Sequence, residues 1–171
     1  SLKKNNVTLA GGKLYEKYLE NPCNLWRSIR LKQNWGERDI SNPSFIFGCN
    51  NILDVSNLNS KELYINDNEY YKLNGDDVEI SKYLKLNDHK LYYDSSAICF
   101  HLQNDNYKTL ASRYWRYVFY GDGLKKRNLF KTIKNIFRQI KKTFFWVIED
   151  ILKFRFSLVI VDIFILKYLK K

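Results

Sequence analysis

The feature that most constrains this chain is the unequal distribution of its charge. From Leu124 to Lys171 there are 13 Lys and Arg against only Glu149, Asp150 and Asp162, whereas the first 123 residues carry 16 basic and 15 acidic side chains. The basicity is thus a property of the last third, and it comes with a pattern. Leu129, Ile133, Ile136, Phe137, Ile140, Phe144, Val147 and Ile148 recur at helical spacing, with Lys131, Lys134, Arg138, Lys141 and Lys142 filling the other positions. Such a segment is expected to form an amphipathic basic helix that lies on an anionic membrane surface. The following apolar run, Phe156–Leu166, is 11 residues long and contains Asp162, against the roughly 20 apolar residues a spanning helix needs. Residues 122–171 are therefore read as membrane-associating helices, with Gly121-Asp122-Gly123 as the boundary. The aromatic-rich remainder is nearly neutral, which argues against a nucleic-acid partner.

A hydrophobic content of 45% with 16% aromatic residues excludes a disordered chain. Cys23, Cys49 and Cys99 are odd in number and show no CxxC or Cys/His spacing, so neither a zinc site nor a disulfide framework is expected. Cys49 and Cys99 lie in apolar runs and read as small buried hydrophobes, which fits a reducing, cytoplasmic setting. Ser1–Leu9 lacks the apolar stretch of a signal peptide. The Ser1 start and the absence of methionine suggest a fragment or trimmed product.

Along the chain, 13–34 suggests a short helix, a break at Asn21-Pro22, then a second helix or extended segment. Ser44–Asn51 reads as a strand entering a loop, and 56–69 as polar turns. Apolar positions at Ile80, Tyr83, Leu84 and Leu86 predict a helix starting at Gly75-Asp76-Asp77. Lys90–Asp94 and Ala97–His101 read as two short strands around a polar turn. Lys108–Tyr120 reads as a helix with Leu110, Tyr114, Tyr117 and Val118 on one stripe.

Three groups could carry chemistry. Asp76 and Asp77 sit at a helix start, where exposed N–H groups favour carboxylates. By pattern this is commonly a cap, and alternatively a general base beside a second acid. His101 follows an apolar strand, a position more often structural than liganding. Arg113, Trp115 and Arg116 interleave cations with rings, which suits a diphosphate or a stacked ring and equally a solvated helix edge.

The order of these pieces is more specific than any one of them. Gly12, Trp26-Arg27, Trp35-Gly36 and Phe47-Gly48-Cys49-Asn50 are followed by Gly75-Asp76-Asp77-Val78-Glu79-Ile80. Leu91-Tyr92-Tyr93-Asp94, Ala97…His101 and Trp115-Arg116-Tyr117 complete the series. Over about residues 11–121 it resembles the C-terminal, acceptor-side half of bacterial family 2 glycosyltransferases of the GT-A type. There a G-x-N strand end precedes an E-D-x-x-(L/I) helix, a Y-x-P-x-A-x-x-x-H segment and an Arg/Trp-rich helix.

The resemblance implies an α/β fold, a partial GT-A domain over 1–121 followed by the amphipathic helices. It also implies an inverting transfer of a sugar from a nucleotide-sugar donor to a saccharide or lipid-linked acceptor. On it, Asp77 is the catalytic base and Asp76 stands where many members have Glu. Gly48, Asn50 and Trp35 belong to the donor and acceptor pocket, together with Arg113, Trp115 and Arg116. His101 matches a histidine that binds the metal or the diphosphate, and the cofactor would be a divalent cation, Mg or Mn. Ser95 replaces a frequent proline. The family's Asp-x-Asp metal motif has no counterpart in the expected order, since Asp67-Asn68-Glu69 lies in a polar loop, and the fragment alone is expected to be inactive. The enzyme would work peripherally on the cytoplasmic membrane face. A non-catalytic membrane-associated interaction module is the alternative.

Overall fold

A computed structural model describes residues 6–56, 58, 76–120 and 129–168. Gly75, the 59–69 turns and the Gly121-Asp122-Gly123 boundary lie outside the described residues. The chain is mixed α/β, with strands β1 (Leu9–Glu16), β2 (Ile40–Ser41), β3 (Asn51–Leu53) and β4 (Leu91–His101). The helices are α1 (Pro22–Arg30), α2 (Asp76–Leu86), α3 (Tyr107–Tyr120), α4 (Leu129–Leu152) and α5 (Phe156–Tyr168). Residues 1–15 and 32–101 form one compact unit, and 16–31 with 102–171 form another. The grouping is thus not sequential, because the β1–α1 connection hands Glu16 and α1 to the helical unit.

The first unit is built on an open four-stranded sheet of order β2-β4-β1-β3. β3 runs antiparallel to β1 with Ala10 opposite Ile52, and β2 antiparallel to β4 with Ile40 opposite Tyr93. The 13–20 stretch is not the expected short helix, for β1 continues to Glu16 and is buried at every position except Tyr15. Gly11 and Gly12 make that possible. A Cβ on Gly12 would stand 2.0 Å from the Ala97 carbonyl oxygen, and one on Gly11 2.2 Å from Ile46 Cγ2. The pair thus admits β4 on one side and the 46–50 loop on the other. Gly12→Ala is expected to cost at least about 1–3 kcal/mol of stability, read as a lower urea midpoint, because the obstructing atom is backbone.

The two predicted pieces around Asp94 are a single strand, β4. The polar turn is absorbed because Ser95 N–H and Oγ–H both donate to Asp39 Oδ1, at 2.8 and 2.6 Å, while Asp94 accepts from Ser96. Of the expected Ser44–Asn51 strand and loop, 44–50 is an irregular segment whose ladder partners are replaced by side chains, described below, and a strand, β3, begins only at Asn51. Leu9, Ile46, Leu84, Leu91 and Tyr93 make the buried core of this unit.

In the second unit the Asn21-Pro22 break is a helix start. Asn21 Oδ1 accepts from Cys23 N–H at 2.8 Å, with Pro22 in the first turn, a position where its missing N–H costs nothing. Trp26, Leu110, Ala111, Tyr114, Trp115, Trp146, Leu158, Val161 and Ile165 form the core. Polar groups are buried among them. Arg27 lies between Glu16 and Asp105, and Arg30 Nη2 donates to Asp150 Oδ1 at 2.9 Å.

Trp26 Nε1–H donates to Asp162 Oδ1 at 2.6 Å. Burial and the facing Asp150 raise the Asp162 carboxyl to about 6, against the pull of Trp26 and Arg30. An acid whose folded pKa lies above its unfolded value loses stability as pH rises through that interval. The interval here runs from about 3.8 to about 6, equivalent to up to about 3 kcal/mol. Wild type should therefore lose thermal stability between pH 4 and 6.5 relative to Asp162→Asn, which keeps an oxygen for Trp26. Parallel melting curves over that range would remove the assignment.

No helix among the described residues is long and apolar enough to cross a membrane.

Candidate active site

Beyond Asn42, whose N–H donates to the Leu91 carbonyl of β4 at 2.7 Å, the segment 43–48 lies outside the strands, and several of its backbone groups are met by side chains. Helix α2 presents Asp77, Ser81 and Lys85, four residues apart and so on one face. Asp77 Oδ2 accepts from Gly48 N–H at 3.1 Å, and Ser81 Oγ accepts from Ile46 N–H at 3.0 Å. Lys85 Nζ donates to the Pro43 carbonyl at 2.9 Å. From the other side, Trp35 Nε1–H donates to Phe45 O at 2.9 Å, and Asn51 Nδ2 to Gly48 O at 2.9 Å. A buried backbone N–H needs a partner, and for Ile46 the α2 hydroxyl of Ser81 supplies it in place of a neighbouring strand.

This arrangement brings Asp77, Gly48 and Trp35 into one neighbourhood. Asp77 is partly buried at the first turn of α2, where its Oδ1 also accepts from Val78 N–H at 2.9 Å. Burial pushes its carboxyl above the ordinary value, against the lowering by the Gly48 and Val78 N–H groups, and the neighbouring Asp76 adds to the rise. Asp76 itself is exposed. A Cβ on Gly48 would meet Asp77 Cβ at 3.3 Å, so the lack of a side chain there lets the carboxylate reach the loop.

Next to Gly48 stand three half-buried rings. Trp35 packs edge-on to Phe45 at 5.0 Å and tilted to Phe47 at 5.7 Å, and the two phenylalanines are 4.9 Å apart. Such a cluster offers apolar ring surface beside a carboxylate, as a sugar or other amphipathic ligand requires. Phe45 and Phe47 did not enter the sequence-based site. Their alternation about the buried Ile46 was the available signal.

Asn50 is engaged in holding the sheet. Its Nδ2 donates to the Lys13 and Ala97 carbonyls at 2.8 and 3.0 Å, and its own carbonyl accepts from Gly12 N–H at 3.0 Å. Cys49 is exposed, unlike the buried residue expected from its apolar run, because that run is loop; Cys23 is the buried thiol. All three cysteines are free.

His101 closes β4, half-buried. Among the described residues no three His, Cys, Asp or Glu side chains are grouped to hold a metal ion.

Arg113, Trp115 and Arg116 belong to the helical unit. Trp115 is in its core, 4% exposed, with Nε1–H donating to the Ile165 carbonyl at 2.7 Å. Arg113 stands 3.6 Å from Asp105 Oδ1, and Arg116 is exposed. The expected Tyr117 is on the outside of α3, where Ala111 and Trp115 face inward.

Comparison of the chain with protein-family models, with curated proteins and with solved structures finds no match.

Proposed function

We propose that the sheet unit is the acceptor-activating half of a GT-A-type glycosyltransferase, with Asp77 as general base. The observation that carries the reading is a partly buried, pKa-raised carboxylate held beside Gly48 and three aromatic rings. The ordered motif series over 11–121 supports it independently.

In this reading an acceptor saccharide lies against Trp35, Phe45 and Phe47 with one hydroxyl at Asp77. The carboxylate takes the hydroxyl proton as the oxygen bonds to the anomeric carbon of the donor sugar. The bond from that carbon to the diphosphate breaks, and the nucleoside diphosphate leaves with the electron pair. Desolvation makes Asp77 a stronger base than an exposed aspartate, since a raised pKa means a greater proton affinity. Asp76 adds negative charge in the same sense. A divalent cation supplies charge neutralisation at a diphosphate, and its ligands are not assigned to this unit.

The experiment is sugar transfer from a panel of nucleotide-sugars by the complete gene product, wild type against Asp77→Asn. Equal turnover would leave Asp77 as a loop clip and nothing more, the role its hydrogen bonds to Gly48 and Val78 already give it.

A further inference from the structure

Helix α4 is inverted with respect to its own composition. The face it buries is largely polar: Thr143 and Asp150 are wholly buried, Trp146 is 9% exposed, and Gln139 accepts from Tyr114 Oη–H at 3.0 Å. The face it leaves out is apolar. Phe130 is 76% exposed, Phe137 67% and Phe144 59%, with Ile133, Ile148 and Ile151 exposed beside them. These positions recur at intervals of three, four and seven residues and so form one stripe along the helix.

The stripe does not end with α4. Leu152, Phe154, Phe156, Ile160 and Ile163 are also exposed, on the turn and on α5. Asp162, the one acid in the α5 apolar run, points inward to Trp26, so no carboxylate interrupts the outer surface of α5. At the turn, Phe154 has φ 55° and is 80% exposed. A bulky residue held in the left-handed region costs energy, and here it directs a ring into solvent. A surface this apolar on a water-exposed hairpin marks an interaction site.

We propose that the α4–α5 hairpin is a docking surface for an anionic lipid bilayer, in which it lies along the interface with Phe154 at its tip. Charge identifies the occupant. Lys134 falls four residues after Phe130 and three before Phe137, and Lys141 stands likewise between Phe137 and Phe144. Both are exposed, so cations alternate with rings on the apolar side of the helix. Among the described residues no ion pair falls on either of them, and the α4 acids, Glu149 and Asp150, are bound to Arg30, Lys153 and Arg155. Arg138 and Lys142 instead line a cavity of about 150 Å³ with Tyr114 and Trp146.

Rings sunk at the acyl boundary with lysines reaching back to headgroups fit a negatively charged membrane. A second copy of the hairpin would bring two unpaired lysine rows together. α4 has the length to lie on a bilayer and not the composition to cross it. This inference is independent of the transfer reaction, as it concerns different residues.

The test is flotation of the full chain with phosphatidylglycerol-containing vesicles and with purely phosphatidylcholine vesicles. Wild type is expected to float with the former and at least tenfold less with the latter. Phe137→Ser/Phe144→Ser/Phe154→Ser should reduce flotation at least tenfold with an unchanged circular dichroism spectrum, since all three rings are exposed. Lys134→Glu/Lys141→Glu should remove the preference for anionic lipid. Failure of wild type to float, or undiminished flotation of the triple variant, overturns the proposal. So does a wild-type dimer in sedimentation without lipid that the triple variant abolishes, for the stripe is then covered by a second copy.

Discussion

Replacing Asp77 by Asn is expected to lower sugar transfer by roughly a hundred- to ten-thousand-fold, the range of a lost general base, while costing the fold about 1 kcal/mol. The two effects separate because the amide keeps one oxygen. In wild type Oδ1 and Oδ2 each accept one backbone N–H, from Val78 and Gly48. Asn retains one of these bonds and loses the other, a change worth about 1 kcal/mol.

A carboxylate whose only duty were to hold the loop would show the small effect in both measurements. The pH profile gives a further reading. Because desolvation raises the Asp77 carboxyl, transfer should fail on acidification at a pH above the ordinary aspartate value. Below that point the carboxyl is protonated and takes no proton. An acid limb at or below the ordinary value, with transfer otherwise normal, would argue that Asp77 is not the group titrating.

The second large effect concerns stability. Arg27 is 4% exposed and lies between Glu16, 6% exposed, and Asp105, fully buried. Its Nε donates to Glu16 Oε1 at 2.7 Å and its Nη2 also reaches the Gln103 carbonyl at 3.2 Å. Arg27→Met removes the cation and leaves two carboxylates buried, which costs about 3–5 kcal/mol. For a chain of this size that lowers the melting temperature by roughly 10 °C. Adding Glu16→Gln should recover part of the loss, because one of the stranded charges is gone. A melting temperature unchanged by Arg27→Met would mean that water or Arg113 compensates, and the triad would then not be a stabilising centre.

Much of this was legible in the sequence, and the failures have physical causes. Helices α2, α3 and α4 follow from apolar spacing, whereas Asn21-Pro22, which reads as a break, is the start of α1. β1 was misread because its signal is the Gly11-Gly12 pair, whose purpose, the close approach of β4 and the 46–50 loop, exists only in three dimensions. The Ser44–Asn51 run has a strand's composition, but the Ile46 and Gly48 N–H groups go to α2 side chains, which no local pattern reveals. The helical spacing of α4 is legible in its apolar residues. What periodicity could not give was which face is inside, because the buried Thr143, Trp146 and Asp150 become core only by meeting Tyr114, Arg30 and Asp162.

Of the candidate site, Asp77 was legible as an acid at a helix start, and Trp35 and Gly48 from their place in the motif order. Phe45 and Phe47 were not, since an aromatic pair about an isoleucine looks like any strand core.

The row Asp77, Ser81 and Lys85 has one more consequence. Three clips spaced a helical turn apart tie α2 to the 43–48 segment. In the proposed reaction these clips would hold the carboxylate and the rings at one spacing. An acceptor in the proposed reaction would then have to present a hydroxyl at that spacing from the face it stacks, and selection among acceptors would be made by length before any hydrogen bond is formed.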